Sequence, residues 1–310
     1  MRDLFGNEIS QKPVRINIYA DEVYGKECPY SKNIWHYIGI VIENLETPLI
    51  DDIIRIRFLG NFDKESPYYH KNNKIVHWSE IHTADTKNIS KRWLEYILDP
   101  NQSRKTYYSY ILGLNDNYLD KEEFDIENEF NSKYNRFFRS AVLYAIRVFF
   151  NGSRIKVKNI YHEDGQQRYC NYFPWHIIHK LNNEEKNIEF CCKDITFLPK
   201  DHKKDPRSNI IQLCDVVLGV STSIIHGFNE SKASVYRKEL ADLYFDMFQR
   251  IINNPNNKNS QFEYSNRIMI RFFPKQKTDP CTIDRSKNQF YTRRKLAYAE
   301  QKSHQLTLRF

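Results

Sequence analysis

Two acidic segments far apart in the chain carry the chemistry available to it. Ile16-Asn17-Ile18-Tyr19-Ala20-Asp21-Glu22 is a short apolar run that ends in two acids. Gln212-Leu213-Cys214-Asp215 sets an Asp among Ile210, Ile211, Val216, Val217 and Leu218. Carboxylates are seldom fully buried unless they are paired or hold a metal, so a charge in that second stretch needs a partner. A third acidic pair, Glu163-Asp164 before Gly165, closes another apolar run. Acids gathered at the carboxyl ends of strands suit Mg²⁺ or Mn²⁺, and two such ions can clamp the attacking and leaving oxygens of a phosphodiester. Asp215 follows Gln212 by three residues, so both project from one helix face, with Gly219 a turn further on. A glycine there is expected to let the helix approach the sheet closely. Each strand-end acid also has a plain structural reading, since Asp21-Glu22 and Glu163-Asp164-Gly165 are good turn chemistry.

The elements that must position these groups follow from the apolar patterning. Arg15–Glu22 and Ile34–Asn44 are rich in β-branched and aromatic residues and read as a hairpin. The spacing predicts helices over Pro48–Leu59, Ser90–Leu98 (with Ser90 as N-cap), Glu127–Phe150, Gln166–Leu181, Ser208–Gly227 and Lys232–Asn253. Further strands are expected at Thr106–Asn115, Ile155–Glu163 and Ile188–Phe197, with a short extended piece at Ile75–His82 and a polar loop at Asn61–Lys74. The fold class is therefore α/β: a mixed five-stranded sheet flanked by helices, with the first, fourth and fifth strands parallel. Terminal acids on neighbouring first and fourth strands would lie about 5 Å apart.

These residues resemble a known family. Asp21-Glu22-x-x-Gly25, Glu163-x-Gly165 and Ser208-x-x-x-Gln212-Leu213-x-Asp215-x-x-x-Gly219 look like the signatures of the domain-of-unknown-function 3800 family, which is similar in fold to ribonuclease H and the retroviral integrases. The resemblance covers roughly residues 15–228, leaving 1–14 as an N-terminal extension, 45–105 as an insertion and 229–310 as a helical, basic C-terminal extension. It implies a metal-dependent nuclease of RNA or DNA, with Asp21, Glu163 or Asp164, and Asp215 holding two ions and Gln212 and Glu22 in support. The family's further acid best matches Glu80, in His77-Trp78-Ser79-Glu80-Ile81-His82. His82 could shuttle a proton there. The two imidazoles also permit a His/Glu site for Zn²⁺. The chain departs from the usual Asp-Glu-Ser-Gly by placing Val23-Tyr24 before Gly25, and has Cys214 where Ala is usual. The resemblance also suggests a bacterial defence or toxin-like setting. A non-catalytic subunit of the same fold, binding nucleic acid or a protein partner, is the alternative.

Composition bounds these readings. The net charge is +8, and nine Lys/Arg against three acids lie between Lys275 and Phe310, so most of the excess sits in the tail. A basic tail beside a nearly neutral body suits a polyanion. Within it, Tyr291, Arg293, Arg294 and Lys295 interleave an aromatic with cations, a pattern able to stack on bases and meet phosphates, or equally to dock an amphipathic helix on the body. Six cysteines show no C-x-x-C pair, no stretch reaches 18 apolar residues and no signal peptide is visible, so a reduced, cytoplasmic protein without a membrane span is expected. Nine glycines with no phosphate-cradling loop argue against a P-loop or Rossmann enzyme.

Overall fold

The structure, a computed structural model, describes residues 12–27, 32–99, 106–119, 129–169, 187–226, 234–253 and 267–273, with Phe173, Ile178, His179, Leu181 and the pairs 283–284 and 289–290. Two long antiparallel strands, β1 (Val14–Glu27) and β2 (Ile34–Asn44), start the sheet. Then come α1 (Leu49–Phe58), α2 (Pro67–Asn72) and α3 (Ala84–Leu98), followed by β3 (Tyr107–Asn115) antiparallel to β2. Helix α4 (Glu129–Phe149) leads to β4 (Ile155–Glu163), which runs parallel to β1. Short strands β5 (Ile188–Phe190) and β6 (Ile195–Leu198) both pair with β4. Helices α5 (Ser208–His226) and α6 (Val235–Asn253) precede β7 (Ile268–Phe273), which adds to β3 in parallel.

The architecture is thus α/β, a mixed seven-stranded sheet with β1 in its interior, flanked by helices. Two cores sandwich it, as expected when helices cover both faces. Tyr19, Tyr37, Val41, Tyr161 and Ile111 meet α1, α3, α5 and α6 on one face. Ile18, Ile40, Ile160 and Leu112 meet α4 through Phe138, Val142 and Ile146 on the other. Tyr19 of β1 and Tyr161 of β4 face α5, whereas Ile155 and Val157, before a register shift in the β1–β4 pairing, face α4; beyond that shift odd-numbered residues of both strands point at α5, and that alternation governs which acids can meet Asp215. Helix α5 is long and apolar enough to cross a membrane by composition, yet it lies wholly buried as the core element of its layer.

Several expectations are corrected. The sheet has seven strands, not five: the Ile188–Phe197 run splits in two, and β7 comes from the segment read as an extension. Ile75–His82 is not extended but contains a 3₁₀ turn at Trp78–Glu80. Helix α3 begins at Ala84 with Thr83 as its cap, and Ser90 lies inside it, its hydroxyl donating to the Thr86 carbonyl at 2.9 Å. Asn61–Lys74 carries α2. Gln166–Tyr169 is a 3₁₀ turn, and most of the helix expected beyond it lies outside the described residues. The close approach of α5 to the sheet is made at Gly39 of β2, where an added Cβ would stand 3.3 Å from Cys214 Sγ and Leu218 Cδ2. Gly219 serves a different contact. An added Cβ there would stand 2.1 Å from Trp78 Cγ, so its bare backbone seats the indole.

Candidate metal centre

Asp21 and Asp215 are buried and face one another across a cavity of about 480 Å³ between β1 and α5; β1 does not end at Glu22 as expected but runs on to Glu27, so Asp21 lies inside the strand. Asp21 shares the parity of Tyr19, which points it at α5, and its Oδ1 accepts the Glu22 backbone N–H at 2.8 Å. Asp215 comes from the middle of α5, where its Oδ2 accepts the Trp78 backbone N–H at 2.5 Å. Trp78 is fixed in turn by Gly219 and by donation from its Nε1 to Ser223 Oγ at 3.2 Å. Burial pushes both carboxyls up to about 7. The charge of Glu22 adds to the effect on Asp21, and the charge of Asp21 adds to the effect on Asp215. Neighbouring acids that raise one another in this way are short of positive charge.

Glu163 and Glu22 line the same cavity. Ala20 pairs with His162, so Asp21 and Glu163 stand at matching positions on neighbouring strands. Glu163 shares the parity of Tyr161, whereas Asp164 turns away and pairs with Arg168 at 2.7 Å. Glu163, not Asp164, is therefore the acid presented to the cavity. Glu163 Oε1 receives Lys200 Nζ at 2.6 Å, and the Lys200 charge also draws on Asp21 and Asp215. Glu22 Oε2 faces His162 Nε2 at 3.0 Å, and the fully buried imidazole also meets the Tyr134 hydroxyl at 2.5 Å. His162 Nδ1 lies 2.8 Å from the Glu163 carbonyl, which can only accept, so that nitrogen carries a proton.

Gln212 links the pieces without touching the acids. Its Oε1 accepts from Arg57 Nη2 at 2.5 Å and from the Val76 backbone N–H at 3.0 Å. Its Nε2 donates to the Lys200 carbonyl at 2.7 Å. It therefore ties together the chain leading into Trp78 and the loop that carries Lys200.

Other expected residues stand apart. Glu80 and His82 are exposed and do not line the cavity, while His77 does. The pattern for Zn²⁺ through His77, Glu80 and His82 is not assembled, and among the described residues no three His, Cys, Asp or Glu side chains form a group that could hold a metal ion. Tyr291, Arg293, Arg294 and Lys295 lie outside the described residues. Sequence reading missed Lys200, His162 and Trp78. Only the run Lys200-Asp201-His202-Lys203-Lys204 after an apolar strand hinted at a cation there.

A closed cage is what Zn²⁺ requires, but Mg²⁺ is commonly held by one or two carboxylates together with waters and substrate phosphates. The all-oxygen pair of Asp21 and Asp215, with Glu22 and Glu163 on the same walls, fits that second pattern.

A pH dependence follows. Both carboxyls sit higher in the folded protein than in the unfolded chain, so folding retains protons. Their contribution to stability is fully present below about pH 4 and is lost as pH rises to about 7. Each such group standing alone would shift stability by about 4 kcal/mol, and less when the two share a proton. Urea midpoints in EDTA should fall across that window, and added Mg²⁺ should restore them. Midpoints flat from pH 5 to 8 would mean the acids are already neutralised by the protein itself.

No protein-family model, curated protein or solved structure matches the chain.

Proposed function

We propose that the chain is a divalent-metal-dependent nuclease of ribonuclease-H-like type, hydrolysing phosphodiester bonds of RNA or DNA. The observation that carries this reading is the pair of buried, mutually repelling acids Asp21 and Asp215, brought from separate elements to one open cavity. The setting of β1 between β2 and β4, with acids at matching positions on β1 and β4, is compatible with the fold the sequence motifs resemble. Asp21 and Asp215 would hold the ions, Mg²⁺ or Mn²⁺, with Glu163 on the same wall and the Glu22 carboxylate held by His162 beside them. Bound there, the metal supplies Lewis-acid stabilisation of the phosphodiester and a nucleophilic water at neutral pH. The buried acids carry no positive partner of their own within salt-bridge distance among the described residues, so their charge is available to the ions. Trp78 N–H and Glu22 N–H fix the carboxylate orientations before any ion arrives.

The reading is tested by incubating the protein with labelled single- and double-stranded RNA and DNA in Mn²⁺ or Mg²⁺. Cleavage of at least one substrate is expected, and Asp21→Asn should lower its rate by about 10²- to 10³-fold, the order seen when charge stabilisation in a transition state is removed. Absence of cutting on every substrate, or an Asn variant as fast as wild type, removes it.

The second reading, a non-catalytic subunit that binds nucleic acid or a protein partner, has one observation in its favour. Lys200 already meets Glu163 and so lends the site an internal cation. A cytoplasmic location and a place in a defence system rest on the sequence resemblance and composition alone.

A further inference from the structure

The acidic cavity has a second, oppositely charged wall. Lys26 from β1 and Arg237 from the first turn of α6 both line it. Neither position was foreseeable from strand alternation. Along β1 the even residues face α4, so Lys26 should point away from Asp21. The pairing with β2 shifts by one residue between Val23 and Lys26, however, with Val23 opposite Tyr37 but Lys26 opposite Trp35. Gly25 sits in that bulge at φ +62°, a conformation glycine adopts without strain. Trp35 and Tyr37 belong to the core on the α5 side, so the extra residue turns Lys26 onto the face of Asp21. The five-residue separation places their Cα atoms within about 17 Å, the length of a few backbone phosphates.

Arg237 reaches the same space from the other side. Ser234 caps α6 by accepting the Arg237 backbone N–H at 3.2 Å, while its hydroxyl donates to the Ile81 carbonyl at 2.5 Å. That contact holds the positive end of a 19-residue helix beside the chain leading from Trp78. Among the described residues Lys26 has no ion-pair partner. Burial holds its ammonium below the usual range, and the Arg237 charge acts in the same direction. Two cations that repel each other at a cavity wall, opposite acids that repel each other, make a site whose natural complement is an anion held near a metal.

We propose that Lys26, Arg237 and the start of α6 form a phosphate subsite, which holds a backbone phosphate of the nucleic-acid strand a short distance from the one at the acidic pair. The proposal rests on the nuclease reading for its substrate class. The departure from the usual Asp-Glu-Ser-Gly motif, Val23-Tyr24 before Gly25, thereby acquires a purpose: it supplies the bulge that aims Lys26.

Binding of fluorescein-labelled single-stranded DNA and RNA is measured by anisotropy in EDTA, from about 50 to about 200 mM salt. The wild type should bind with a salt-dependent affinity. Lys26→Ala/Arg237→Ala should bind about tenfold more weakly, with a log–log salt slope smaller by about 0.7 for each phosphate contact removed. Lys26→Arg should retain wild-type affinity, which separates charge from folding, and Arg55→Ala, an exposed cation on α1, should change nothing. A double variant with wild-type affinity and slope overturns the subsite, as does a wild type that binds neither strand. Cleavage in Mn²⁺ is scored separately. Binding through Lys26 and Arg237 without cleavage leaves the subsite standing and removes the nuclease reading, whereas cleavage with an unchanged KM in the double variant removes the subsite alone.

Discussion

Asp215→Asn is expected to melt higher than wild type in EDTA at pH 8, by about 4 °C, and to lose most of its response to Mn²⁺. At that pH the wild-type protein must hold two buried carboxylates ionised at once, although burial, with the charge of Glu22 beside Asp21 and that of Asp21 beside Asp215, has raised both to about 7. Asn removes one charge and keeps the shape. Its carbonyl oxygen can still accept the Trp78 N–H, so no buried donor is stranded. Relief of about 2 kcal/mol is a fraction of what either group would contribute alone, because coupled acids share the penalty, and a chain of this size gains roughly 2 °C per kcal/mol. Metal linkage gives the second half of the expectation. An ion bound only to the folded state stabilises it by an amount that grows with its concentration relative to Kd, so wild type should gain several degrees in saturating Mn²⁺ and the variant much less. The opposite sign is also informative. If Lys200 neutralises Asp215 strongly enough, Asp215→Asn will melt lower in EDTA, as removal of one partner from a buried ion pair does. Melts of both proteins at pH 8, with EDTA and with Mn²⁺, decide between these.

Gln212→Ala should cost about 4 kcal/mol, the largest loss expected from any neutral side chain at the site. Arg57 is wholly buried and meets no carboxylate among the described residues. Its charge is supported by the carbonyls of Asn72 and Lys74, by Gln212 Oε1 and by stacking over Trp93 at 4.8 Å. Burial, and after it the like charge of Arg92, holds the guanidinium down to about 9. Removing the Gln212 amide leaves that cation and the Val76 N–H each short of an acceptor, and a stranded buried polar group costs about 1–3 kcal/mol, more when charged. It also frees the Lys200 carbonyl and loosens the chain that aims Trp78 N–H at Asp215. Urea unfolding should show the loss, and Mn²⁺ affinity should fall with it although Gln212 touches no acid. A variant within 1 kcal/mol of wild type would mean that solvent or a rearranged loop replaces the amide.

Much of the frame was legible in the sequence, and the reasons differ from element to element. Strands β2 and β4 were placed to the residue because runs of β-branched and aromatic residues end sharply at polar ones. Helix α5 was legible from its composition, and an Asp inside it could only be a functional or paired group. The apolar pattern of Ile75–His82 suggests an extended piece, but its residues serve a 3₁₀ turn docked on α5, a tertiary contact that local pattern does not encode. Strand β7 has an unbroken apolar run, Ile268-Met269-Ile270, but the partner that makes it a strand is β3, about 160 residues earlier. At the site the acids were visible and the cations were not. Choosing Glu163 over Asp164 needed only the parity set by Tyr161, whereas Lys26 required a bulge that reverses parity, and Lys200 and Arg237 arrive from a loop and a later helix.

The central claim is that Asp21 and Asp215 make a divalent-cation site, and calorimetric titration of the apo protein with Mn²⁺ at pH 7 tests it most directly. Carboxyls raised to about 7 are partly protonated there, so ion binding must expel protons. The account predicts saturable Mn²⁺ binding whose heat differs between buffers of different ionisation enthalpy, reporting release of roughly one proton, and the loss of both signals in Asp21→Asn/Asp215→Asn. Absence of saturable binding, or binding that the double variant retains with the same proton release, would contradict it.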